Sequence, residues 1–310
     1  MKAIIFDPNP PDSHPHLHLE TVPLPTPAAD SIRIRVHAFG LNRADLSHSV
    51  ARTSRIPGSE AVGIVDALGS AELERAIPRG SVVATAGGGM GRSFDGAYAE
   101  YTCVPARQVH ILRRGHPHDQ KRGADVDEIR WELLGALPEL LPTAWGAVIR
   151  GLALRAGERV LVRGGTTTVG LAATAIATTH GAFVSKQMRR RGVDGFDKVL
   201  ELVGARTLRD SLRCARKGGT VCLAGTVGGE EEEGELEKVN VMELIPSETR
   251  LTVYSGSEEE FMRTPLAEMV RMVEDGRLKI RVGRVLRMEE VVQTLTWMED
   301  EVIGKMVALP

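Results

Sequence analysis

Arg159-Val-Leu-Val-Arg-Gly-Gly-Thr-Thr-Thr-Val-Gly-Leu-Ala-Ala-Thr-Ala-Ile-Ala-Thr-Thr-His-Gly-Ala-Phe-Val184 decides how the chain is read. Val160 to Val162 form a short apolar run, and from Val169 to Thr179 small and apolar residues recur at helical spacing. The Gly- and Thr-rich turn between them therefore delivers the chain to a helix N-terminus, where free amides and the helix dipole favour a phosphate. Gly165 and Gly170 take the places of the first and third glycines of G-x-G-x-x-G, one for the tight turn and the other for close packing of helix on strand. Thr167 holds the middle place, and its side chain narrows the approach to the backbone. The amides and hydroxyls of Thr166, Thr167 and Thr168, with the amide of Val169, are the expected phosphate contacts. A Gly-rich turn of this kind is also an ordinary way to join strand to helix, so the rest of the chain has to decide.

The 310 residues are 42% hydrophobic with a formal net charge of −2, the composition of a soluble globular chain of two domains. Thirty-nine basic residues against 41 acidic ones give no general field for nucleic acid, and the one dense basic run, Arg189 to Arg191, reads as a solvated face. Cys103, Cys214 and Cys222 are odd in number and far apart, which fits a reducing compartment. No apolar window has the length of a membrane span and the N-terminus lacks a signal-peptide core, so a cytoplasmic protein is expected.

Taken in order, Lys2 to Phe6 and the alternating Ser31 to Ala38 read as strands. His14, His16 and His18 would share one strand face, but they lie among prolines without a nearby carboxylate or cysteine, and no metal is expected there. Before about Leu134 the chain is short strands punctuated by Gly and Pro. From Glu139 to Gly256 apolar strands alternate with helical segments, as βαβ units require. The ordered motifs Phe39-Gly-Leu-Asn-Arg-Ala-Asp-Leu46, Ile56-Pro-Gly-Ser-Glu60, Gly96-Ala-Tyr-Ala-Glu-Tyr101, Ala136-Leu-Pro138, Thr143-Ala-Trp145, Asp197-Lys-Val-Leu-Glu-Leu-Val-Gly204, Gly218-Gly-Thr-Val-Cys-Leu-Ala-Gly225 and Gly304-Lys-Met-Val307 span nearly the whole chain. With the glycine turn they resemble the medium-chain dehydrogenase/reductase superfamily, in its zinc-free quinone oxidoreductase-like and enoyl reductase-like branch.

That resemblance implies an α/β architecture: a GroES-like β-rich catalytic domain from residues 1–135 and 259–310, and a Rossmann doubly wound parallel sheet from residues 136–258. It places the active site between the two, where the nicotinamide meets the substrate. In the zinc-dependent branch a Cys precedes the Asp of the first loop and Gly-His-Glu follows the proline. Here those places read Asn42-Arg-Ala-Asp45 and Pro57-Gly-Ser-Glu60, and three cysteines cannot make a four-thiolate structural site, so no metal is expected. Without a Lewis acid, hydride transfer favours a conjugated acceptor that delocalises the developing charge, a quinone or an activated carbon–carbon double bond.

By resemblance, Asn42, Asp45 and Thr143 stand at the reacting end, and Leu202, Val203, Gly204, Gly225, Thr226 and Val227 pass under the ribose and carboxamide. Tyr98 and Tyr101 read first as core aromatics, and no strong general acid is visible. In Gly304-Lys305, the glycine reads as mattering more for fit than the lysine for charge. The apolar strand Leu251 to Tyr254 would pair across a two-fold axis, giving a homodimer.

Between Val184 and Gly195 the chain is shortened, and of order 30 residues, a helix and a strand, are missing from the adenosine side. An acid about 20 residues past the turn would select NAD; this chain has Lys186 and then Arg189 to Arg191. Such cations suit a 2′-phosphate, so the expected cofactor is NADPH, weakly bound because the adenine loses apolar cover. The leading reading is an NADPH-dependent quinone or enone reductase acting on a small molecule. The alternative is a cofactor-impaired relative that acts as a non-redox catalyst, such as an isomerase or cyclase, or as a binding protein.

Overall fold

The structure, a computed structural model, describes residues 1–7, 16–42, 45, 55–115, 129–185, 195–225, 240–295 and 302–310. Its contacts divide the chain into two units, one of residues 1–139, 257–271 and 282–310, the other of residues 140–256 and 272–281.

The first unit is β-rich. Strands β1 (Lys2–Asp7) and β2 (His16–Thr21) form an antiparallel pair. The main sheet contains β3 (Ser31–Gly40), β4 (Glu60–Leu68), β5 (Val82–Ala86), β6 (Tyr101–Pro105) and β7 (Val109–Arg113), joined by two strands from the end of the chain, β13 (Val282–Arg287) and β14 (Lys305–Leu309). The order is β13-β14-β3-β4-β5-β7, with β6 also paired to β3. The alternation of Ser31 to Ala38 is realised in β3, where Ile32, Ile34 and Val36 face a core that also holds Ile4, Phe39, Val83, Met90 and Tyr98. Extended pairing starts only at Tyr101; residues 97–100 touch β1 through a single bridge, Ala3 to Ala99. His18 of the alternating histidines lies 3.5 Å from Glu20, whereas His14 is outside the described residues.

The second unit is a five-stranded, wholly parallel sheet, in the order β12-β11-β10-β8-β9. Its strands are β8 (Arg159–Arg163), β9 (Phe183–Ser185), β10 (Phe196–Glu201), β11 (Ala215–Leu223) and β12 (Arg250–Val253). Helices Thr168–Thr179 and Ala205–Cys214 make the crossovers. Strands covered on both faces read as continuous apolar runs, which is why Val160, Leu161, Val162, Val199, Leu200, Val221 and Cys222 are all buried. Among the described residues the sheet ends at the three-residue strand β9, and β10 begins at Phe196. Phe183 on that edge is 69% exposed. Lys186, Arg189 to Arg191, Thr226 and Val227 lie outside the described residues. Among the described residues, no helix is long and apolar enough to cross a membrane.

Candidate functional site

Within the apolar interior of the first unit lies a charged cluster. β14 runs antiparallel to the end of β3, with Val307 opposite Gly40, so Lys305 at the start of β14 comes beside Asn42 just past β3. β4 begins with Glu60, and Ser59 directly precedes it. The Lys305 ammonium donates to Asn42 Oδ1, lies 2.6 Å from Glu60 Oε1 and 3.9 Å from Glu139 Oε2. Asn42 Nδ2 donates to Glu60 Oε1 at 2.9 Å and to Ser59 Oγ at 3.2 Å, while the Glu139 backbone N–H donates to Glu60 Oε2 at 2.9 Å. The Tyr98 hydroxyl donates to Asp45 Oδ2 at 2.9 Å. Glu60 is 0% exposed, and Asp45 and Lys305 are each 5% exposed.

Room for this pair depends on Gly40. A Cβ there would sit 2.2 Å from Glu60 Oε1 and 2.6 Å from Lys305 Cε, so any other residue would push the ion pair apart. The desolvated charges persist because nearly every polar atom has a partner, the condition under which buried pairs are tolerated.

Three carboxyl groups share one ammonium, and burial disfavours each negative charge. Burial raises the Asp45 carboxyl above the ordinary range, against the hydrogen bonds from Ser59 and Tyr98. Glu139 is raised to about 7, first by burial and then by the like charges of Glu60 and Asp45, with Lys305 pulling the other way. Its Oε2 is buried and, among the described residues, has no hydrogen-bond partner. For Lys305 burial works against the charge, but Glu60 and Glu139 outweigh it and hold the ammonium above its usual value. Burial, followed by the Asp45 charge, lifts Tyr98 well above the usual phenol, so it remains a donor. The cluster thus combines a fixed cation with a carboxyl group that changes protonation near neutrality, the property asked of a general acid.

Asn42 and Asp45, singled out in the sequence, are brought together here. Sequence reasoning missed Glu60 and Glu139, and it undervalued Tyr98 and Lys305. Tyr98 is indeed a core aromatic at 0% exposure, stacked on Phe39 at 4.8 Å, but its hydroxyl also reaches into the cluster. Lys305 contributes its charge directly, and its signal was a lone lysine in a terminal strand whose next three residues are all buried.

The second unit holds the glycine turn. Its left-handed residue is Gly164 (φ 75°), not Gly165, a conformation glycine adopts without strain, and a Cβ at residue 164 would also meet the Leu202 Cβ at 3.1 Å. Gly170 serves the close approach expected of it: a Cβ there would lie 2.2 Å from the Gly164 carbonyl oxygen. Thr167 is the N-cap of the helix; its hydroxyl accepts from the Gly170 N–H at 3.0 Å and donates to the Gly164 carbonyl at 2.7 Å. That hydroxyl is spent on the turn itself. The amides of Thr168 and Val169 have no partner among the described residues, and Thr166 is exposed. Thr143, half-buried in the helix Leu140–Trp145, belongs to this unit. Past β10, the Val203 and Gly204 amides donate to Glu201 Oε1 at 2.7 and 3.2 Å, and the Ser211 hydroxyl binds the other oxygen. A fully buried carboxylate therefore fixes the loop of Leu202, Val203 and Gly204, leaving carbonyls rather than those amides for any ligand. Gly225 follows β11 and is half-buried.

Comparisons with known proteins agree with this architecture. Residues 28–114 match the family described as alcohol dehydrogenase GroES-like domain, and residues 159–307 match zinc-binding dehydrogenase. Human quinone oxidoreductase is 26% identical over 301 residues, covering 84% of this chain and 83% of that protein. The quinone oxidoreductase structure from Coxiella burnetii superposes with a TM-score of 0.76 at 21% identity, covering 100% of this chain and 99% of that one. A mycobacterial structure complexed with NADPH gives 0.75 at 22% identity over 95% of each chain. With its GroES-like unit, its parallel Rossmann-type sheet and these relatives, the chain belongs to the medium-chain dehydrogenase/reductase superfamily, in the quinone oxidoreductase-like branch, and is an oxidoreductase by kinship.

Proposed function

We propose that the protein is an NADPH-dependent reductase of a quinone or an activated carbon–carbon double bond, working without zinc. The observation that carries this is the Lys305 ammonium, 2.6 Å from Glu60 and hydrogen-bonded to Asn42. Zinc does not fit. A carboxamide and a hydroxyl, Asn42 and Ser59, stand where the zinc-dependent branch has Cys and His, and a metal dication would have to displace a buried ammonium.

The turn fits the diphosphate of a dinucleotide. Gly170 lets the helix close onto β8, and the free Thr168 and Val169 amides with the exposed Thr166 would hold the phosphates. Thr143, Gly165, Leu202, Val203, Gly204 and Gly225 complete the proposed contacts, with Lys186 favouring the 2′-phosphate. Bound NADPH supplies the hydride. When an acceptor gains a hydride, the anion left behind needs one proton, and Glu139 is the acid the cluster offers, with a carboxyl that holds its proton near neutrality. Lys305 supplies the one positive charge among the three carboxyl groups and offsets the Glu60 charge beside the proposed acid.

Supporting a homodimer, β12 is an edge strand among the described residues, with Val253 69% exposed and Leu251 half-buried. The rival reading, a relative that no longer uses a dinucleotide, is favoured by the sheet that stops at β9. Thermal unfolding with NADPH separates the two. At about 100 times its dissociation constant a ligand of the native state adds about 2.7 kcal/mol, and weak but saturable stabilisation is expected, greater with NADPH than with NADH. If neither dinucleotide raises the midpoint, the reductase reading fails.

A further inference from the structure

At the opposite end of the parallel sheet from the glycine turn, a depression of about 550 Å³ opens in the second unit. Lys198, Thr220 and Arg250 are register partners across β10, β11 and β12, so they project from one face and form the floor. Residues 150–153, Arg155 and Arg216 form the walls. Five cations line it, Arg150, Arg155, Lys198, Arg216 and Arg250, against two carboxylates, Glu158 and Asp197.

The carboxylates are already occupied. Asp197 accepts from the Arg159 backbone N–H at 2.7 Å and from Arg216 Nε at 2.6 Å, and Glu158 accepts from the Arg155 backbone N–H at 2.8 Å. Among the described residues, Arg150, Arg155 and Arg250 have no carboxylate within ion-pair distance. Lys198 is only 9% exposed, yet it makes no hydrogen bond to a described residue, and its nearest carboxylate oxygen, on Glu158, is 3.9 Å away. A buried ammonium in such company is costly unless something anionic completes its surroundings.

The backbone here is also specialised. The residues entering the wall, Gly146–Gly151, form a π-helix, which natural chains keep mostly at functional positions. Two non-glycine residues among those described have a left-handed backbone, Ala153 (φ 48°) and Glu248 (φ 64°). Ala153 lines the depression, and the Glu248 carbonyl holds the N–H of Gly218, which lines it as well. Such strain persists only where the surroundings enforce it. Neutralising the C-terminus of the π-helix does not account for the cations, since the Gly151 carbonyl is already held by the Thr252 hydroxyl at 2.9 Å.

We propose that this depression is a binding site for a phosphate or diphosphate group, separate from the dinucleotide turn, with Lys198 and Arg250 as its floor and Arg150 and Arg155 as its rim. Guanidinium groups suit phosphate oxygens through paired N–H donors, and the buried ammonium adds a point charge. The inference does not depend on the reductase reading. It is tested by titrating the full chain calorimetrically with pyrophosphate, orthophosphate and a phosphate monoester such as glycerol phosphate, at constant ionic strength, with and without saturating NADPH. Saturable binding of one pyrophosphate is expected, retained in the presence of NADPH, and weakened at least about tenfold in Arg250→Gln, whose surface position leaves folding intact. Lys198→Met should abolish it, with circular dichroism checking the fold. A phosphate monoester binding more tightly than pyrophosphate would identify a phosphorylated metabolite as the source, and the reverse order would identify the free anion. Absence of saturable heat, binding that NADPH displaces, or equal affinity in Arg250→Gln would each overturn the proposal.

Discussion

Replacing Lys305 with methionine should cost the first unit more than any loss of apolar packing explains. Methionine fills nearly the same volume, so the change removes one charge and leaves the Glu60 carboxylate, 0% exposed, with only the Asn42 amide and the Glu139 N–H as donors. Breaking a buried pair in this way costs about 3–5 kcal/mol, and because Glu60 and the lysine side chain are 0% and 6% exposed, solvent screening offers little relief. The two units need not unfold together, so the assay is hydrogen exchange followed on peptides from β3 and β14. Exchange there should accelerate in Lys305→Met by a factor of about one hundred to several thousand, at about 1.4 kcal/mol per tenfold. The double variant Glu60→Gln/Lys305→Met removes the orphaned charge and should recover most of the loss. A single variant within about 1 kcal/mol of the wild type, or a double variant no better than the single, would refute the view that these two residues are one electrostatic unit.

Glu139→Gln should flatten a pH dependence. The folded state raises this carboxyl to about 7, so between the ordinary carboxyl range and that value the native state holds a proton that the unfolded chain has lost; wild-type stability therefore falls as pH rises through that window, and the variant should lose this slope in unfolding midpoints measured across it. Gly170→Ala places a Cβ 2.2 Å from the Gly164 carbonyl oxygen, so the helix must shift from β8, at about 1–3 kcal/mol, with NADPH affinity lost in a fluorescence titration. Val253→Arg, which puts a charge on the exposed edge of β12, should convert a dimer to a monomer in light scattering without altering circular dichroism.

How much of this was legible in the sequence depends on which interactions are local. Period-two alternation marked β3, and the alternation of apolar strands with helical segments marked the parallel sheet of β8, β10 and β11. The shortening expected after Val184 rests on chain length alone, since a missing helix and strand would close up the spacing of the motifs. What could not be read was set by contacts across long separations. Either of two adjacent glycines can take the left-handed conformation, so the sequence does not say that Gly164 rather than Gly165 does. Glu139 is raised first by burial and then by the Glu60 charge that β4 brings to its side, against the pull of the Lys305 that β14 delivers. Asn42 and Asp45 were visible by resemblance, but their partnership with a lysine more than 250 positions away was not.

The proposed transfer of a hydride from NADPH to a conjugated acceptor is measured through the absorbance of reduced nicotinamide, with purified protein, NADPH and either a quinone or an enone, set against the uncatalysed rate. Acceptor-dependent oxidation of NADPH is expected to saturate in both components, to persist in the presence of a zinc chelator, and to be slowed in Glu139→Gln at neutral pH. Acceptor consumption no faster than the uncatalysed reaction at saturating NADPH, or activity that a chelator abolishes and zinc restores, would contradict it.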